Sequence, residues 1–279
     1  MREIASADIS RTLKRLFMEA NTDLGEDVLE TLKAGREQER SPVGKDIFGQ
    51  LLENAQLAHD TKIPICQDTG YALVFVEMGQ DVHVSGGDFN EAVQEGVRQA
   101  YKEGYLRKSV CHPFTRKNTG DNTPALVYID MVPGDKLHIT AVPKGGGSEN
   151  MSRLFMLPPS AGVQGIKQRV IETVREAGPN PCPPTIIGVG IGGTFEQCAL
   201  QAKKALLRPL GEPSPDPELA ALEKEWLAEV NKLGIGPQGL GGTITSLGLH
   251  IRMLPCHIAS LPVAVNIQCH AARHKEAVL

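Results

Sequence analysis

The chain has 279 residues, with 29 Lys and Arg against 33 Asp and Glu, a formal net charge of −4. No surplus of cations is present to neutralise phosphates, which argues against a nucleic-acid binder. The longest apolar runs, such as Leu261 to Ile267, are too short to span a bilayer. The opening Met-Arg-Glu-Ile lacks the apolar core of a signal peptide. Six cysteines in so long a chain do not form a secreted disulfide scaffold. A cytoplasmic protein with reduced thiols is expected. Aromatic residues make up only 4%, while 29 glycines and 19 prolines predict many tight turns and loops, where sites tend to lie.

The first sixty residues read as helical. Ile9, Leu13, Leu16 and Phe17 recur at helical spacing, as do Val28, Leu29 and Leu32, with Asp23 as a cap. Ser41-Pro42 interrupts, and a third helix is expected over 45–59. A buried strand follows at 71–77, then a helix from Phe89 to about Glu103 capped by Asp88. Strands are expected at 124–131 and 136–142, and a helix at 160–177. A short strand at 185–189 should lead through a glycine turn into a helix at 195–207. The Pro-rich segment 211–217 reads as an exposed connector inside one domain, ahead of a helix at 218–233. Two late strands are expected at 243–253 and 262–268. The sum is an α/β (mixed α+β) fold over 1–279, read as a single domain. A helical N-terminal part, about 1–60, should pack on mixed sheets covered by helices.

Polar groups and glycines cluster in loops at the ends of the expected strands. Cys66, Cys182 and Cys269 all fall in such loops, whereas Cys198 sits inside an amphipathic helix as a small core residue. Cys111 and Cys256 are ambiguous. Thiolates are soft ligands suited to zinc, copper(I) or iron–sulfur clusters. No CxxC pair is present, so zinc-ribbon and ferredoxin spacings are absent, and inert buried thiols are the alternative. Gly188-Val-Gly-Ile-Gly-Gly193 matches the dinucleotide pattern G-x-G-x-x-G. The second strand and its acid do not follow at the required distance, so a tight turn is the better reading. Lys144-Gly-Gly-Gly can form either an anion nest or a flexible hairpin. Arg107 can bind a carboxylate through two hydrogen bonds, or merely complement a helix C-terminus. His257 can be a ligand, an acid–base group or a carboxylate binder, or a satisfied surface residue.

Four motifs together carry a resemblance. They are Pro64-Ile-Cys-Gln-Asp-Thr-Gly70, Asn118-Thr-Gly-Asp-Asn-Thr-Pro124, Lys144-Gly-Gly-Gly-Ser-Glu-Asn-Met151 and Gly190-Ile-Gly-Gly-Thr194. In this order, over nearly the whole chain, the sequence resembles the iron–sulfur hydro-lyases of the class I fumarase and L-tartrate dehydratase family. The resemblance is to the α part only, so it implies the α subunit of a two-subunit enzyme, with a β subunit supplying the carbon base and further substrate anchors. It implies a [4Fe–4S] cluster on Cys66, Cys182 and Cys269, with Cys111, Cys198 and Cys256 outside the ligand set. The substrate side would be Gln67, Asp68, Arg107, the Gly147 backbone and His257, with Asp68 protonating the leaving hydroxyl. The implied reaction is the reversible hydration of fumarate to (S)-malate, in an α2β2 assembly acting on a small dicarboxylate. The alternatives are an L-tartrate dehydratase α subunit and, in another class, a non-catalytic iron–sulfur electron carrier.

Overall fold

The computed structural model describes residues 2–279. In chain order the elements are β1 (Arg2–Ala5), α1 (Ser6–Thr22), α2 (Glu26–Gln38), α3 (Pro42–Thr61), β2 (Tyr71–Gly79), β3 (Val82–Ser85) and α4 (Phe89–Glu103). Then come β4 (Leu126–Val132), β5 (Leu137–Lys144), α5 (Gly146–Glu149), β6 (Arg153–Leu157), α6 (Gly162–Ala177), β7 (Thr185–Gly193) and α7 (Phe195–Ala205). The last are α8 (Pro217–Asn231), β8 (Ser246–Cys256), β9 (Leu261–Gln268) and β10 (Lys275–Val278). The mixed α/β class is as the sequence implies. No helix among the described residues is long and apolar enough to cross a membrane.

The chain divides into two compact units. The first holds the residues up to Gly25, Asn54–Gly146 and Arg273–Leu279; the second holds Glu26–Glu53 and Gly147–Ala272.

In the first unit a mixed sheet runs β10-β5-β2-β4, with β2 and β4 parallel and the other pairs antiparallel. The apolar stripe of α1, Ile9, Leu13, Leu16 and Phe17, is buried against Val93, Val97, Ala100 and Tyr101 of α4 and against Val74, Val76, Ile139 and Ala141 of the sheet. A stripe at i, i+4, i+7, i+8 covers one helix face, so burying it orders both helices on the sheet. The two helices cross closely at Gly96, where a Cβ would come within 2.8 Å of Leu13 Cβ and of the Ser10 carbonyl oxygen. Asp88 caps α4 by accepting from the Glu91 N–H at 2.8 Å.

In the second unit the sheet runs β6-β9-β7-β8, with only β7 and β8 parallel. Helices α6 and α8 bury Ile166, Val170, Val174, Trp226 and Val230 against Ile187, Val189, Val263 and Val265. Across the sheet, α7 brings Cys198 and Ala202 against Ala264. Asp216 caps α8, accepting from Glu218 N–H at 2.8 Å, and Pro217 fits the first turn because its missing N–H has no partner there anyway. The connector 211–217 therefore joins α7 to α8 within this unit.

Four expectations are corrected. The segment Gly188–Gly193 is not a turn but the second half of β7. Its Ile and Val side chains alternate with glycines, and the glycine positions lie against the α7 backbone: a Cβ at Gly188 would meet the Ala202 carbonyl oxygen at 2.1 Å. Asp23 does not open α2; it ends α1, and its carboxylate instead receives His59 Nδ1 at 2.5 Å and Lys62 Nζ at 3.0 Å. The N-terminus begins with a strand, β1, paired in parallel with β3. Strands β3, β6 and β10 also form where none was expected; at 4, 5 and 4 residues they are too short to show a period.

Candidate active site

In the first unit, Cys66, Gln67 and Asp68 lie on the loop between α3 and β2. The loop lacks a strand ladder, so side chains satisfy its backbone. Ahead of Cys66, the Ile65 N–H donates to the Asn21 carbonyl at 2.9 Å, and Asn54 Nδ2 donates to the Ile65 carbonyl at 2.9 Å. After it, the Asp68 carbonyl accepts from an Arg273 guanidinium nitrogen at 2.8 Å. The buried Tyr101 hydroxyl donates to the Thr69 and Gly70 carbonyls at 2.8 and 3.0 Å. Burial of that hydroxyl pushes its pKa well above the ordinary tyrosine value, so it stays a donor.

Gly70 has φ +82°, and a Cβ there would lie 2.6 Å from the Lys144 nitrogen, so the loop passes flush against the end of β5. This brings two N–H groups to Asp68. Oδ1 accepts from Gly70 at 3.0 Å and Oδ2 from Gly146 at 2.7 Å. The carboxylate is thus fixed in orientation, and each oxygen keeps a further lone pair for a ligand. Part of Lys144-Gly-Gly-Gly therefore acts as a backbone donor to a side chain of the same unit. The Cys66 thiol, half-buried, faces Gln67 Oε1 at 3.4 Å.

Arg107 is exposed, just beyond α4, and its carbonyl accepts from Thr69 Oγ1 at 3.1 Å. Asn122, fully buried, ties the same stretch down: Oδ1 accepts from Ser109 and Val110 at 2.7 and 3.3 Å, and Nδ2 donates to the Gly70 carbonyl at 3.3 Å. Arg107 and Asp68 thus leave one hydrogen-bonded frame.

In the second unit, Cys182 precedes β7 and Cys269 follows β9. These strands are antiparallel with Ile186 opposite Gln268, so both cysteines stand at the same end of the sheet. The Cys182 carbonyl accepts from the His270 N–H at 3.4 Å and meets the His270 ring at 3.1 Å, which joins the two loops. Cys182 is exposed, with φ +55°. Gly147 stands beside the same loop, its Cβ position 3.6 Å from the Asn180 carbonyl oxygen.

His257 is at the opposite end. It lies in the loop after β8, which runs parallel to β7 and ends opposite Gly193. The nine residues of β7, about 30 Å at ~3.3 Å each, separate that end from Cys182. The His257 ring accepts the Ala259 N–H at 3.1 Å and is exposed. Within the second unit, the fold brings Gly147, Cys182 and Cys269 together and leaves His257 apart.

All six cysteines are thiols. Cys198 is fully buried in α7, its thiol donating to the Phe195 carbonyl at 3.3 Å, and burial pushes its pKa up. Cys256 donates to the Ser260 carbonyl at 3.2 Å. No group of three His, Cys, Asp or Glu able to hold a single metal ion occurs among the described residues. Each unit presents loop thiols, Cys66 in the first and Cys182 and Cys269 in the second, and thiolates suit a soft iron–sulfur group better than a hard cation. Sequence reasoning missed Asn21, Tyr101 and Arg273, which hold the Cys66 loop from distant elements; no local pattern marks them.

The first unit thus carries a thiol and an N–H-held carboxylate on one loop of a mixed α/β fold. Comparison with known proteins identifies the family. Residues 10–278 match the family model described as Fumarate hydratase (Fumerase), and the chain belongs to that family. It is 45% identical over 271 residues to a Methanocaldococcus jannaschii protein named "Putative L(+)-tartrate dehydratase subunit alpha", with 95% of each chain covered. It is 36% identical over 257 residues to the L(+)-tartrate dehydratase subunit alpha of Escherichia coli (strain UTI89 / UPEC), covering 91% of this chain and 84% of the relative. The Escherichia coli (strain K12) protein of the same name is 35% identical over the same span.

Proposed function

We propose that this chain is the α subunit of an iron–sulfur hydro-lyase that interconverts fumarate and (S)-malate together with a β subunit. The observation that carries this is the fumarate hydratase family match over residues 10–278, and the relatives' names as α subunits support a β partner. Cys66, Cys182 and Cys269 would hold a [4Fe–4S] cluster. When bound, that cluster supplies a Lewis-acidic iron that polarises substrate oxygens.

The chain's own groups do the rest. Asp68, fixed by the Gly70 and Gly146 N–H groups, exchanges a proton at the hydroxyl oxygen that is added or lost. It takes the proton in the hydration direction and returns it in dehydration. Arg107 presents a planar fork to one substrate carboxylate, while Gln67 and the Gly147 N–H donate to substrate oxygens, where charge builds up in the transition state. His257 would join this set only from a second copy of the chain, since within its own unit it stands a strand's length from Cys182.

A second reading, L-tartrate dehydration to oxaloacetate, is favoured by the names of the relatives. The two substrates differ by one hydroxyl. The test is an anaerobic preparation of this chain with its native β partner, assayed side by side with fumarate, (S)-malate and L-tartrate. Turnover of fumarate and malate that is lost in air and regained with iron and reductant supports the first reading. Turnover of tartrate with little fumarate activity selects the second. No turnover of any of the three by a complex with intact iron overturns both.

A further inference from the structure

Arg273 is 2% exposed, yet its guanidinium hydrogen-bonds to neutral oxygens rather than to a carboxylate. One guanidinium nitrogen donates to Asn21 Oδ1 at 3.2 Å and another to the Asp68 carbonyl at 2.8 Å, and Nε is buried without a partner. A cation taken out of water without a counter-charge is costly and persists where its fork does something a neutral residue cannot. Its partners indicate what that is. The Asn21 carbonyl also receives the Ile65 N–H, and its side chain is itself anchored, Nδ2 donating to the Phe17 carbonyl at 2.9 Å. Asn21 and Arg273 therefore grip the loop on both flanks of Cys66-Gln67: Asn21 at Ile65, and Arg273 at Asp68.

We propose that Arg273 is a positioning residue for Asp68, its planar guanidinium bridging Asn21 on α1 to the Asp68 carbonyl and so fixing where the Asp68 carboxylate stands. This goes beyond the family's reaction, and it rests on the reading of Asp68 as the proton-exchanging group only for its effect on turnover. The hold itself is testable without turnover. A lysine ammonium is a point charge on a flexible stem, so it cannot hold the two acceptors at the fixed spacing of a guanidinium fork.

The test uses Arg273→Lys in the anaerobic complex with the β partner. Amide hydrogen exchange reads the N–H groups of Gly70 and Gly146, the two donors to Asp68, with α4 and β7 amides as internal references. Faster exchange at Gly70 and Gly146, with the references unchanged, is expected; unchanged exchange at both overturns the proposal. Should Arg273→Lys fail to assemble, Asn21→Ala removes one anchor while keeping the guanidinium, and the same two amides should respond. In turnover, a misplaced Asp68 should lower kcat by about 10- to 100-fold with KM changed little. In an Asp68→Asn background the Arg273→Lys substitution should then cost almost nothing more. Full additivity of the two losses overturns the positioning role. If Asp68→Asn itself loses no activity, the functional reading of Asp68 fails, while the exchange result still decides what Arg273 holds.

Discussion

Gly190 offers the sharpest test of how β7 is built. A Cβ at this position would lie 2.0 Å from the Cys198 carbonyl oxygen and 2.5 Å from the Ala202 nitrogen. Both are backbone atoms of α7, so no side-chain rotation relieves the clash. Ordinary contact begins near 3.4 Å, so in Gly190→Ala the helix must retreat by 3.4 − 2.0 = 1.4 Å. It packs on β7 and β9 through Cys198, Ala202 and Ala264, which are all buried. Overpacking of this kind costs about 3 kcal/mol, toward the upper end of its range. Restricting the unfolded chain returns about 0.5–1 kcal/mol. A net loss of about 2 kcal/mol is expected, read as a lower urea midpoint at unchanged slope. The retreat should also expose the Cys198 thiol to alkylation. Gly49→Ala is the control: it lies inside α3, its Cβ would meet nothing nearer than Arg36 at 3.8 Å, and it should stabilise by about 1 kcal/mol. A Gly190→Ala variant as stable as the parent, with Cys198 still protected, would refute the account of this strand.

Further outcomes can be measured on the same complex. Single Cys→Ser changes at 66, 182 and 269 should abolish bound iron after anaerobic reconstitution, whereas those at 111, 198 and 256 should not; a different failing trio refutes the ligand assignment. Asp68→Asn should lower kcat by about 100-fold or more with iron content intact, and loss of the cluster instead would make its role structural. Buried Glu39 accepts N–H bonds from Ser41, Thr243 and Ile244. Burial alone would raise its pKa, but these bonds outweigh it and hold the carboxyl below its ordinary 4.5. Its stabilisation is therefore complete above about pH 4.5 and lost as pH falls through the lower folded value. Glu39→Gln should flatten that acid limb of the stability profile, and a limb of unchanged steepness would count against it.

What could be read from the sequence follows from how local each signal is. The long helices were legible because their apolar stripes repeat over several turns, and Asp88 and Asp216 because a cap acts within three residues. The glycine run of β7 reads as a turn in sequence because glycines usually bend the chain. Here Ile187, Val189 and Ile191 keep the two-residue period of a strand, and Gly188 and Gly190 fill the other face, where a helix backbone comes too close for any side chain. The cysteine loops were legible as motifs, and the fold does seat Cys182 and Cys269 at one sheet end. The resemblance adds His257 to this set; the strand pairing places it at the other end of the sheet.

The residues that hold the Cys66 loop were illegible for a related reason. A lone arginine in the polar stretch around 273 reads as a surface cation, and nothing near Asn21 distinguishes it from any other helix-end asparagine. Their role exists only once 21, 101, 122 and 273 meet, and these positions span most of the chain. Each contributes a side chain that bonds to the backbone of the 65–70 loop or, for Asn21, its own carbonyl. A loop satisfied this way has no order of its own to fall back on. The Cys66-Gln67-Asp68 arrangement is therefore a property of the folded first unit, and it should form only after α1, α4 and the C-terminal segment have docked. A conservative change at any of these four positions should then disturb the site more than its distance in sequence implies, because an unmet buried donor or acceptor costs about 1–3 kcal/mol and the loop can recover it only by moving.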